Sequence, residues 1–128
     1  MDVILAIPQP DLRLAIDLYL REEPGVNVVG VARELVGLIA LLKTVRCHLL
    51  ILDWDLLDGC WVDLMAKIRA LDSPPLVVIL GHDEQNGETV LIAGADFFMV
   101  KEGEPADLVK IIEEAHRLLH PAEDDEPV

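Results

Sequence analysis

Five apolar runs, alternating with five stretches of helical period, predict an α/β domain built on a five-stranded, doubly wound parallel sheet. The runs Val3 to Ile7, Leu49 to Leu52 and Leu76 to Leu80 are apolar at every position, as strands covered on both faces must be. Between the runs, apolar residues return at i, i+3, i+4 and i+7, the period of a single helical face. Strands that alternate with helices need parallel pairing, right-handed crossovers and helices on both sheet faces. Five such units are too few to close a barrel of eight, and no internal repeat indicates a solenoid.

The first strand, Val3 to Ile7, is closed by Pro8-Gln9-Pro10. Leu12, Ala15, Ile16, Tyr19 and Leu20 then mark a helical face that Pro24-Gly25 ends. Val26 to Val31 reads as a second strand, with Asn27 and Gly30 pointing to an edge position, and Leu35, Leu38, Ile39 and Leu42 return to helical period. The central strand carries Asp53 at its carboxyl end, with Asp55 and Asp58 expected in the loop beyond. Trp61, Leu64, Met65, Ile68 and Leu71 form the third helical stripe, which stops at Ser73-Pro74-Pro75. After the fourth strand, Gly81-His82-Asp83 opens a loop, a short helix runs to about Ala93, and Gly94 is placed as its cap. Phe97 to Val100 is the fifth strand, followed by Lys101. Pro105 suits the first turn of a last helix with Leu108, Ile111, Ile112, Ala115 and Leu119 on its buried face. Residues 1–120 are thus expected to form one domain, and residues 121–128, with four carboxylates and almost nothing to bury, a disordered acidic tail.

Hydrophobic residues make up 52% of the 128 and aromatic residues only 4%, so the core is expected to be aliphatic. Twenty-four Asp and Glu against ten Lys and Arg leave a formal net charge of -14. That surface repels phosphate backbones, which argues against direct nucleic-acid binding and favours a protein partner with a basic surface. No apolar run approaches the ~20 residues of a membrane-spanning helix, and the amino terminus lacks the basic start and cleavage site of a secretory signal. Cys47 and Cys60 are accordingly expected to be reduced and the protein cytoplasmic.

Parallel strands gather their carboxyl ends on one edge, where open α/β sheets bind ligands. Ile7-Pro8, Asp53, Gly81 and Lys101 should converge there. A carboxylate facing an ammonium across a cleft is the informative pair, and the two are expected to form an ion pair. The plainer readings are a helix-capping aspartate and a surface lysine at a strand exit. Three carboxylates within six residues, Asp53, Asp55 and Asp58, repel one another, which suggests a cation, a basic side chain or plain solvent nearby.

Leu49-Leu50-Ile51-Leu52-Asp53 together with Gly94-Ala95-Asp96-Phe97-Phe98-Met99-Val100-Lys101 resembles the receiver domain of bacterial response regulators. The likeness runs from Val3 to Leu119 and is greatest to receivers that precede helix-turn-helix output domains, where Asp-Trp-Glu-Leu commonly stands at Asp53-Trp54-Asp55-Leu56. It implies a flavodoxin-like (βα)5 fold with strand order 2-1-3-4-5, a phospho-acceptor at Asp53 that takes its phosphoryl group from a histidine kinase, phosphoryl contacts from Lys101, and a switch aromatic at Phe98. It also marks departures. The acidic pair that holds Mg²⁺ in the family maps onto Ile7 and Pro8, which offer no side-chain ligand. The family's Ser or Thr at the end of the fourth strand is Gly81, and His82, expected as a polar lid, fills a position usually small. Leu57 and Glu102 stand where prolines are usual. The resemblance is therefore to a degenerate receiver with no resident cofactor, Asp55 being a weak candidate metal ligand, and with Phe98 packed in one state.

The expected role is an interaction module of two-component phosphorelay signalling that depends little or not at all on phosphorylation. It would pair with a kinase or output protein, or self-associate through the face made by the fourth helix, fifth strand and fifth helix. The alternatives are a conventional phospho-accepting receiver and, further off, a haloacid-dehalogenase-like phosphohydrolase. Asp53-Trp54-Asp55 satisfies that enzyme's Asp-x-Asp start, but no later acidic pair completes a metal site. A flavodoxin-like carrier fits less well, because Pro8-Gln9-Pro10 lacks the hydroxyls and amides that cradle a flavin phosphate. His82 has no Cys or second His at ligand spacing. Trp54 and Trp61 are read as anchors of the loop and the third helix, not as a pocket.

Overall fold

The computed structural model describes residues 1–57, 59, 61–83, 87–89, 91 and 94–120. Five strands, β1 (Asp2–Ala6), β2 (Asn27–Ala32), β3 (Leu49–Asp53), β4 (Leu76–Gly81) and β5 (Phe97–Val100), make one sheet in the order β2-β1-β3-β4-β5, every pair parallel. Between and after them run α1 (Pro10–Arg21), α2 (Leu35–Thr44), α3 (Trp61–Arg69), α4 (helical at residues 87–89 and at 91) and α5 (Pro105–Leu119). This is the doubly wound, flavodoxin-like architecture that the alternating pattern predicts. One expectation needs correction: Trp54–Leu57, read as loop, forms a single helical turn directly after β3. Asp58, Cys60, Ala93 and the acidic segment 121–128 lie outside the described residues.

The all-apolar strands are explained by two core clusters, one on each face of the sheet. Ile4, Ala6, Leu50, Leu52, Val77 and Ile79 turn towards α2 and α3, where they meet Leu38, Leu64, Met65 and Ile68. Val3, Leu5, Ile7, Leu49, Ile51, Val78 and Leu80 turn the other way, towards α1 and α5, onto Ile16, Leu20, Leu108, Ile112 and Ala115. Side chains alternate across a strand, so covering both faces requires apolar residues at successive positions. Each fully buried Leu or Ile contributes about 1.5–3 kcal/mol relative to exposure. β2 is the edge strand that Asn27 and Gly30 suggest, and its pairing with β1 shifts register between Val3 and Ile4.

Pro10 and Pro105 open α1 and α5, where a missing N–H costs nothing. Gly94, at φ +112°, donates its N–H to the Leu91 carbonyl and closes α4 in a conformation that favours glycine. Cys47 is a free, buried thiol whose pKa is pushed up to about 11 by burial and by the nearby Asp2 carboxylate, so it is chemically quiet. Among the described residues no helix is long and apolar enough to cross a membrane.

Candidate functional site

The alternation that builds the core also aims the site. Leu49 and Ile51 of β3 face α1 and α5, as does Met99 of β5. Two residues further on, Asp53 and Lys101 continue the same series and emerge from the carboxyl edge of the sheet on one side. Lys101 lines a largely apolar cavity with Leu12, Leu80, Met99 and Leu108.

Asp53 is the only buried charged residue of the described chain, at 0% exposure. Its Oδ1 lies 2.7 Å from the Lys101 Nζ, so the ion pair expected across the cleft is present. The same oxygen accepts the Asp55 backbone N–H at 2.8 Å. Asp53 therefore also performs the plainer role, capping the Trp54–Leu57 turn. Its Oδ2 is buried without a hydrogen-bond partner among the described residues.

The Lys101 ammonium is shared. It donates to Asp55 Oδ2 at 2.7 Å as well as to Asp53. The other Asp55 oxygen, Oδ1, lies 2.8 Å from Nε2 of His82. Hydrogen bonds from Lys101 and then His82 hold the Asp55 carboxyl below its ordinary pKa. For Lys101, burial works against the charged form, but the bonds to Asp53 and Asp55 outweigh it and the pKa is raised. Of the cation, basic side chain or solvent that the crowded carboxylates suggest, the basic side chain is present at Asp53 and Asp55 as Lys101, with His82 beside it.

Ile7 is fully buried in the core facing α1 and α5, while Pro8 follows it at the edge. Their carbonyl oxygens face the Arg13 guanidinium, which donates to Ile7 O at 2.9 Å and to Pro8 O at 3.5 Å. Gly81 ends β4 and takes the Lys101 N–H on its carbonyl at 2.9 Å. His82 is more than half exposed, with its Nε2 against the Asp55 carboxylate. Phe98 packs into the core cluster on the α2 and α3 side, with Gly87 of α4 against its ring. Trp54 and Trp61 stack, centroids 6.1 Å apart.

Sequence reasoning missed Arg13, whose guanidinium bonds the carbonyls at the end of β1 and which no pattern of hydrophobicity singles out. Asp55, a candidate in the sequence, has Lys101 and His82 as its side-chain partners among the described residues.

A doubly wound (βα)5 domain, with a buried aspartate after its third strand and a lysine after its fifth closing on it, is built as a signalling receiver. The family model described as the response regulator receiver domain matches residues 3–113, and the chain belongs to that family. Among curated relatives it is 27% identical over 115 residues to the nitrate/nitrite response regulator protein NarL of Escherichia coli, covering 88% of this chain and 53% of that protein. The chain thus spans about half the length of that relative. Among solved structures it resembles the isolated receiver domain of RcsB from Salmonella enterica serovar Typhimurium in its apo form, with a TM-score of 0.77, 28% identity, and 88% and 85% of the two chains covered. The response regulatory domain of mrkE from Klebsiella pneumoniae shares the fold at a TM-score of 0.81 and 15% identity, over 92% and 97% of the two chains. Membership in this family, a signalling one, displaces the phosphohydrolase and flavin-carrier alternatives.

Proposed function

We propose that this receiver of two-component signalling works as a protein-interaction module whose state depends little or not at all on phosphorylation of Asp53. The observation that carries the reading is the end of β1. Phosphoryl transfer to a carboxylate brings negative charge onto negative charge, and a divalent cation is the usual remedy. The donors present do not fit such an ion. Ile7 and Pro8 supply no side-chain oxygen, and their carbonyls accept from the Arg13 guanidinium, itself a cation. Both Asp55 oxygens and Asp53 Oδ1 are engaged by Lys101, His82 and the Asp55 N–H, so of the Asp53 and Asp55 oxygens only Asp53 Oδ2 has no partner among the described residues, and Mg²⁺ prefers several oxygen ligands. The glycine at position 81 removes the hydroxyl that the resemblance assigns to the phosphoryl group.

A conventional phospho-acceptor at Asp53 remains the second reading, and the same unpartnered Oδ2 favours it, because an acceptor needs one oxygen free to attack. Treatment with acetyl phosphate and Mg²⁺, followed by intact-protein mass spectrometry, separates the two. Wild type should label slowly or not at all. Losing one charge-stabilising group costs about 3–4 kcal/mol of barrier, or two or more powers of ten in rate. The triple change Ile7→Asp, Pro8→Asp and Gly81→Thr should restore labelling, and Asp53→Asn in that background should abolish it, with circular dichroism confirming the fold. Rapid Mg²⁺-dependent labelling of wild type at Asp53 would establish the conventional receiver instead. Partner contact is assigned to the face of α4, β5 and α5, and the partner to a kinase or an output protein.

A further inference from the structure

The contacts of Asp55 run to three different strand ends. Its backbone N–H is donated to Asp53 at the end of β3, 2.8 Å away. Its Oδ1 lies 2.8 Å from His82 Nε2, just beyond β4, and its Oδ2 accepts from Lys101 Nζ, just beyond β5, at 2.7 Å. These partners are 27 and 46 residues away along the chain, so each tie closes a long loop, beside the Lys101–Asp53 ion pair and the Lys101 N–H bond to the Gly81 carbonyl at the same edge. Lys101 is shared at equal distance between Asp53 Oδ1 and Asp55 Oδ2, while Asp53 Oδ2 is buried without a partner among the described residues.

We propose that the Asp55 carboxylate is a permanent internal anion that locks the ends of β3, β4 and β5 in one arrangement. It receives from Lys101 the contact that a phosphoryl oxygen on Asp53 would otherwise receive. Asp55 is in this sense a positioning residue, acting through Lys101 and His82. The inference rests on the reading of a phosphorylation-independent receiver and adds to it the device that fixes the state. Charge carries the effect, because a carboxylate adds its attraction for the ammonium to the hydrogen bond, which a neutral oxygen in the same place does not.

Amide hydrogen exchange by NMR on the whole chain tests the lock, read at Lys101, whose N–H meets the Gly81 carbonyl, and at Gly103, whose N–H meets Val100. Asp55→Ala should speed both amides about tenfold, the loss of one charged hydrogen-bonded tie, while Asn27, bonded to Met1 across the sheet, stays unchanged. Asp55→Asn keeps the shape without the charge and should behave like the alanine variant. The Lys101 ammonium, followed by its side-chain nitrogen shift, should titrate at lower pH in both, a response that a merely structural role would not produce. Unchanged exchange in Asp55→Ala overturns the proposal, as does an asparagine variant indistinguishable from wild type. Asp55 is well exposed, so folding should survive. If Asp55→Ala nevertheless fails to fold, His82→Ala decides, with faster exchange expected at the same two amides and no change overturning the lock. Acetyl phosphate labelling of wild type bears on phosphorylation alone, so the lock and the underlying reading fail by different measurements.

Discussion

At the scale of single residues the site is an electrostatic balance whose weights can be changed one at a time. Asp53 is fully buried and the Lys101 side chain nearly so, hence removing the ammonium strands a buried carboxylate. Lys101→Met should destabilise the fold by about 3 kcal/mol at neutral pH, and Asp53→Asn in the same chain should recover most of the loss, because the uncompensated charge is then gone. Urea denaturation of the four proteins of this cycle checks the coupling, and additive losses would show that the pair is not one unit. The pH dependence has a definite sign. The stability contributed by Asp55, whose folded pKa is lowered, is complete above its ordinary 3.8 and is lost as pH falls through the folded value. That contributed by Lys101, whose folded pKa is raised, is complete below 10.5 and is lost as pH rises through the folded value. The difference between wild type and Lys101→Met should therefore be largest near neutral pH, shrink as pH rises through the folded Lys101 value, and shrink as acid neutralises the carboxylates. Asp53 and Lys101 were legible in the sequence because each follows an apolar run whose length places it. The bonds of Asp55 and Arg13 were not, since they depend on side-chain directions fixed only after the sheet has assembled.

At the scale of elements, periodicity located every strand and the long helices to within a residue or two, because each strand is covered on both faces and each long helix on one. The Trp54–Leu57 turn escaped it. Four residues carry no helical period, and what fixes the turn is the Asp53 cap together with the stack of Trp54 on Trp61, neither of which is a pattern of hydrophobicity. The contact of α4 with β5 was equally hidden. A Cβ built on Gly87 would lie 2.7 Å from Cδ1 of Phe98, closer than real contacts allow, and a tight 3.1 Å from Cε1 and Cγ. Glycine here leaves room for the ring to pack inward. Gly87→Ala should expel the ring or push α4 off the sheet. Fluorine NMR of fluorophenylalanine-labelled protein, which has only Phe97 and Phe98 to report, should show one resonance move by an amount typical of exposure. An unmoved pair of resonances would mean that α4 yields instead of the ring, and the amides of β5 would then exchange faster.

At the scale of the whole molecule, a formal charge of -14 sets the terms on which this domain meets any partner, including another copy of itself. The face assigned to contact combines the exposed Leu91 of α4 with a groove of about 400 Å³ between β5 and α5, lined by Phe98, Met99, Val100, Asp107, Lys110 and Ile111. Its apolar floor favours association and the net charge opposes it. The balance depends on salt, because the screening length falls from ~30 Å at 0.01 M to ~10 Å at 0.1 M and ~3 Å at 1 M. Apolar burial is not weakened by salt, so raising ionic strength removes the opposing term and leaves the favourable one. A dimer formed on this face should therefore tighten severalfold between roughly 0.05 and 0.5 M sodium chloride, the reverse of an assembly held by opposite charges. Sedimentation equilibrium across that range measures it directly. Ile111→Asp, which puts a carboxylate into the apolar lining, should weaken the dimer at every salt concentration, while Lys110→Glu should weaken it mainly at low salt. A monomer throughout would exclude self-association through this face and assign the groove to a different protein, whose affinity should then rise with basic charge on its surface and fall with added salt.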